Sequence, residues 1–156
     1  VLFRSRLGYN GPSGCIATGQ HRQIIDGVGA TRTLLPEESG ALCLFDRAAG
    51  VVYTLPAPVA GMTFEFQATV AVTSNAYAVN TNAATTFLSG AVNAIELAAA
   101  MDAFQADGST IVTISSNGST TGGLIGSNFK VTAISSTVWA IEGTVVGSGT
   151  LATPFA

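Results

Sequence analysis

Charge is what this chain has least of. Charged residues make up 10% of it, against 47% hydrophobic, where a soluble domain usually carries about 25% charged residues. A surface so poor in charge, with Ser, Thr, Asn, Gly and Ala in its place, suits a protein that spends its life assembled against others. Basic residues number only six, five of them before residue 48, and the formal net charge is -3. Phosphate contacts need clustered Lys and Arg, so nucleic acid is excluded as an expected partner.

Histidine and cysteine are nearly absent. The single histidine, His21, lies among Gly19, Gln20 and Arg22, a setting with no frame to hold it against a nucleophile, so no Ser-His-Asp arrangement is expected. One His and no Cys cluster likewise give no transition-metal site, and no cofactor is expected. The two cysteines, Cys15 and Cys43, form no C-x-x-C pair. They read either as one disulfide or, better, with Cys43 as a small buried hydrophobe inside a strand. Nine acidic residues are enough for two to converge as in a glycosidase, but most read as solvated strand faces and turns. The expectation is a protein that is not an enzyme.

Long apolar runs are missing too. Thr, Asn, Ser and Gly interrupt every candidate before the length of about 18 residues that a membrane helix needs, so a soluble chain with no membrane partner is expected. Arg4 and Arg6 are followed by Leu-Gly-Tyr-Asn-Gly-Pro, not by an apolar signal segment. Residues 1–5, Val-Leu-Phe-Arg-Ser, read as the translated end of a sequencing adapter and carry no weight.

What is present is strand pattern. At 156 residues the chain has room for one domain with a real core. Val51 to Leu55 and Met62 to Val70 are two β-rich runs separated by Pro56-Ala57-Pro58. In the second, Met62, Phe64, Phe66, Ala68 and Val70 alternate with Thr63, Glu65, Gln67 and Thr69, one dry face and one wet. Further strands are predicted over 41–46, 76–80, from Phe87, and over 110–115, 129–135 and 138–146, eight to ten in all. Asn117-Gly118 gives a hairpin signal that outweighs the sequon Asn117-Gly118-Ser119. The glycines from Gly118 to Gly126 read as turns needing positive φ, since they lack the spacing of a phosphate loop. Residues 94–106 are the one helix candidate: Asn93 and Glu96 suit a cap, Leu97, Met101 and Phe104 share a helical face, and Gly108 suits a stop. Pairing as a strand is the alternative there.

Two larger features complete the reading. Residues 1–38 are glycine-rich with little periodicity, and predict an extended N-terminal arm, with at most a short strand near Gln23-Ile24-Ile25, either loose or laid across a partner, followed by a β-sandwich or barrel-like domain over 39–156. Tyr9, His21, Arg22, Ile24, Ile25 and Arg32 are the candidate partner-binding residues of that arm. The stretch from Gly61 also echoes that from Gly126, which predicts two matching hairpins facing across one core filled by Phe64, Phe66, Tyr77, Phe129 and Trp139.

The runs Ser39 to Asp46, Thr54 to Phe64 and Thr121-Gly122-Gly123, with Trp139 and the tail Gly147 to Ala156, resemble a family of small virion proteins of tailed phages. These are capsid decoration or cement proteins, with related modules in head and tail fibres. The resemblance spans residues 32–156, is one of pattern, and is weakest in the arm. It implies an all-β domain on the outer surface of the capsid, commonly a homotrimer, that clamps neighbouring copies of the major capsid protein and has no catalytic residues. A head- or tail-fibre module binding host glycans through exposed aromatics such as Tyr9 or Tyr53 is the alternative expectation.

Overall fold

The fold comes from a computed structural model that describes residues 9–11, 14–16, 21–98 and 100–156, the first two segments as backbone alone. It is all β. Thirteen strands and one 3-10 turn follow in chain order: β1 (Tyr9–Gly11), β2 (Gly14–Ile16), β3 (Ile24–Ile25), β4 (Thr31–Thr33), the turn Pro36–Glu38, β5 (Leu42–Phe45), β6 (Val51–Thr54) and β7 (Thr63–Ala68). Then come β8 (Tyr77–Asn80), β9 (Phe87–Glu96), β10 (Met101–Asp107), β11 (Thr113–Ser116), β12 (Asn128–Ala133) and β13 (Val138–Gly147). Among the described residues strands β1 and β2 pair with each other alone, while the rest form a seven-stranded sheet, β10-β9-β13-β12-β7-β5-β3, and a four-stranded sheet, β11-β8-β6-β4.

From β3 to β8 the chain changes sheet at every connection. Odd-numbered strands enter the larger sheet and even-numbered ones the smaller. Same-sheet strands are therefore separated by a crossover and pair in parallel: Ile24 beside Leu42 beside Glu65 in one sheet, Thr31 beside Val52, and Val52 beside Ala78, in the other. Each circuit is one strand of each sheet, wound three times. Pro56 and Pro58 are buried in the β6-to-β7 crossing, where a fixed φ and a missing N–H suit a stiff span that pairs with nothing.

Between the sheets lies one aromatic core. Phe45 stacks on Tyr77 at 4.5 Å, Phe66 on Phe129 at 5.2 Å, and Tyr53 meets Phe45 edge-on at 5.6 Å. The five residues predicted to fill the core are all buried, Trp139 and Phe64 completely. Both buried tyrosine hydroxyls donate to backbone carbonyls, Tyr53 to Leu44 at 2.8 Å and Tyr77 to Val70 at 2.9 Å, so neither leaves a polar group unpaired in the dry interior. Cys43 is buried and free, and burial, with the Glu38 carboxylate next in size, pushes its thiol up to about 12.

Four readings change. Residues 94–106 are not a helix: their described part is the end of β9 and nearly all of β10, in antiparallel register with Phe104 opposite Val92. The segment from Gln23 to Glu38 is not a free arm, because Ile25 and Leu34 are core residues and β3 and β4 join both sheets. Asn117-Gly118 does not join a hairpin, since β11 and β12 lie in different sheets. The echoing stretches do not face each other: β7 and β12 are antiparallel neighbours, with Phe66 opposite Phe129.

Candidate functional site

The outward face of the larger sheet is built in cross-strand rows. Leu42, Glu65, Lys130, Glu142 and Ala91 are successive partners across five strands, and Gln67, Asn128, Thr144 and Asn93 form the row beside them. Alternation in β7 and β12 sends these side chains to solvent and Phe66 and Phe129 to the core. A shallow groove of about 630 Å³ runs along the two rows. Its charges are matched: Lys130 Nζ lies 3.1 Å from Glu142, and Arg22 holds Glu65. Opposite charges directly across strands stabilise a sheet by about 0.2–1 kcal/mol each.

Two glycines let neighbouring strands of this sheet approach each other. Gly90 has φ +138, and a Cβ there would sit 2.1 Å from the Ile141 carbonyl oxygen; at Gly143, φ +156, it would sit 2.4 Å from the Phe129 Cα. Any side chain would push β9 from β13, or β13 from β12.

Of the eight large apolar side chains exposed among the described residues, six gather at two ends of the strands; Ile24 and Leu35 are the other two. At one end, the amide of Leu97 donates to Gly147 and that of Leu124 to Val146, while Ile95 pairs with both Val146 and Met101. This brings Ile95, Leu97, Met101 and Ile125 to the finish of β13, the last three more than half exposed. At the other end, Ile134 donates to Val138 at the start of β13, Gly61 donates to Ala133, and Met62 donates to Val59. Val59 and Ile134 are both exposed there. The ten residues of β13 separate the two groups by about 30 Å.

The candidate residues of the arm are scattered. Tyr9 belongs to β1, opposite Ile16, and its side chain lies outside the described residues. Exposed on the surface are His21 and Ile24. Arg22 is spent inside the molecule, its guanidinium donating to the carbonyls of Gly40 at 2.6 Å and Ala41 at 3.0 Å as well as to Glu65. Arg32 pairs with the buried Glu38, whose second oxygen accepts the Leu35 amide at 2.8 Å. Ile25, in the core, offers no partner contact. Tyr53 is fully buried and gives a sugar nothing to stack on. Sequence reasoning missed the two apolar ends, although Leu97, Met101 and Ile125 next to Ala, Gly and Ser stood out as large side chains in segments with no second apolar face.

Among the described residues there is no group of three or more His, Cys, Asp or Glu side chains placed to share a metal ion, and no helix long and apolar enough to cross a membrane. Asp107 is held well below the usual carboxylate range, first by the Thr110 hydroxyl and then by the Ser109 and Thr110 amides; it ties the turn after β10. Comparison with family models, curated proteins and solved structures finds no match for this chain.

Proposed function

We propose that this chain is a structural virion protein that binds the outside of a phage capsid and stabilises it by bridging neighbouring copies of the major capsid protein. The observation that carries the reading is the pair of exposed apolar ends, Leu97, Met101 and Ile125 at one and Val59 and Ile134 at the other, on one β body. Large apolar side chains grouped on a surface mark contacts with other proteins. Two such groups about 30 Å apart let one body touch two subunits. Whatever binds the assembled shell and not its free subunits stabilises the shell by mass action, with no chemistry. Many copies, each holding two subunits, add avidity.

The test uses purified capsids in their expanded form. The protein co-sediments with them and raises the temperature at which they rupture. Replacing one end by charge, Leu97→Asp with Met101→Asp, or Val59→Asp with Ile134→Asp, leaves residual binding and abolishes the rise in rupture temperature. A wild-type protein that fails to sediment with capsids, or sediments without moving the rupture temperature, refutes the bridging role.

The polar groove favours a second reading, a head- or tail-fibre module for host glycans. Glu65, Gln67, Asn128 and Glu142 line a cleft with the planar polar groups that bind sugar hydroxyls. Retention on immobilised host glycans, lost in Gln67→Ala with Asn128→Ala, would support it over capsid binding.

A further inference from the structure

Four strands end the two sheets, and three of their edges are short or covered. β3 has two residues and β4 three. The chain's own tail covers β11, with Ser115 donating to Pro154 at 2.7 Å, Thr113 donating to Ala156 at 2.9 Å, and Ala156 returning a bond to Thr113 at 3.0 Å. β10 differs: it has seven residues, and among the described residues nothing pairs with its outer edge. Native proteins cover, shorten or bulge such edges unless the edge is used.

The phase of its hydrogen bonds is fixed by its ends. Glu96 donates to Ala100 and Gly108 to Leu88, so in the register of the pair the even-numbered residues of β10 exchange bonds with β9. The N–H and C=O groups of Met101, Ala103, Gln105 and Asp107 therefore point outward. An edge of free backbone donors and acceptors in alternation is filled by another β-strand.

We infer that the partner strand is β10 of a second copy of this chain, paired antiparallel about a two-fold axis at Phe104. Of the antiparallel registers that keep the outward groups in phase, only this one pairs all seven residues. Ala103 then bonds with Gln105 of the second copy, and Met101 with Asp107. Asp102 falls opposite Ala106, so no carboxylate faces another, whereas an axis at Asp102 would oppose two. Phe104 meets its own copy at a non-hydrogen-bonded position, where side chains stand closest and aromatic pairs contribute most. On pairing, the Asp102 carboxylate releases the Ala103 amide, which it now accepts at 2.8 Å. The contact is isologous and closes at two copies, so it is separate from the homotrimer that the family resemblance implies, and it does not depend on the capsid reading.

The full chain is tested in solution by light scattering, with circular dichroism as the control for folding. Wild type is expected at twice the chain mass. Gln105→Pro removes one outward N–H at a position an edge strand tolerates and is expected to run as a folded monomer. Under mild oxidation Phe104→Cys cross-links to its own copy on a non-reducing gel and Asp102→Cys does not, because only residue 104 sits on the axis. Phe104→Cys also serves as the decisive variant if Gln105→Pro fails to fold. A folded wild type of single-chain mass overturns the inference, as does a trimer untouched by Gln105→Pro. A monomer that doubles only after removal of residues 1–20 also overturns it, assigning the edge to the chain's own N-terminal segment.

Discussion

The strands from Ile24 to Asn80 and those from Phe87 to Gly147 build the same sandwich by opposite means. The first group crosses between sheets at every step, so each of its strands has a partner sheet facing it. Of the second group only β11 crosses, and β9, β10, β12 and β13 all extend the larger sheet. Four strands beyond β7 on one side against one beyond β8 on the other leave the larger sheet overhanging. Burial follows: β6 alternates buried and half-buried along its length, while β10 is exposed at five of its seven positions. Both halves feed the core, Leu88, Val131 and Trp139 among the second group's share, but the outermost strand of the overhang, β10, supplies mainly surface.

Removing a core ring from the wound half breaks the comparison hardest. Phe45→Ala takes away the ring stacked on both Tyr77 and Phe66 and is expected to cost about 3–5 kcal/mol in urea unfolding. Met101→Ala, on the overhang, should change stability by less than about 0.5 kcal/mol. Similar losses at the two sites would mean that the overhang is packed after all. Next in size is the seam between β9 and β13, inside the overhang. Gly90→Ala forces a side chain into a φ of +138 against the Ile141 carbonyl, at a cost of about 1–3 kcal/mol for the backbone alone. Faster amide exchange in β9 and β10 than in β5 to β7 should accompany it; uniform exchange would contradict a seam.

The smallest effect is in pH. Folding raises the Cys43 thiol pKa to about 12, so the folded state keeps a proton that the unfolded state loses earlier. The contribution is complete below the ordinary thiol range, about 8.5, and drains away as pH climbs toward 12. Burial raises the Tyr53 and Tyr77 hydroxyls as well, so they add to the alkaline loss. The urea midpoint should fall between pH 8 and pH 10.5, and fall less in Cys43→Ala. An equal fall in both proteins would remove Cys43 from the account.

The same contrast explains what was legible in the sequence. β7 has one face on the core and one in water, so Phe64, Phe66 and Ala68 alternate with Thr63, Glu65 and Gln67 and can be read directly. β10 has water on both faces for most of its length, loses that alternation, and leaves Leu97, Met101 and Phe104 to imitate a helical stripe. Ile25 and Leu34 belong to short apolar doublets, Ile24-Ile25 and Leu34-Leu35, too brief to show a period; only the winding of β3 and β4 into separate sheets takes one member of each inside. Tyr53 reads from the sequence as an exposed aromatic, and its burial depends on the Leu44 carbonyl arriving from β5 in the facing sheet. Of the candidate site, the arginines were visible as charges, but Arg22 finds Glu65 on β7, far along the chain, and Arg32 finds Glu38 only because the turn Pro36–Glu38 folds back on β4. The apolar ends are a product of topology, since Ile95 and Ile125 meet only because β9 and the loop before β12 both finish beside Val146.

Trp139 is the chain's single tryptophan, fully buried, and among the described residues its indole N–H has no hydrogen-bond partner. An indole kept from water emits at the blue end of its range, and it moves to longer wavelength once solvent reaches it. The protein therefore holds an optical gauge of the distance between its own sheets, placed on β13, two strands beyond the wound half's β7. On a tryptophan-free background, that emission would report opening of the sandwich in a bound copy without any label.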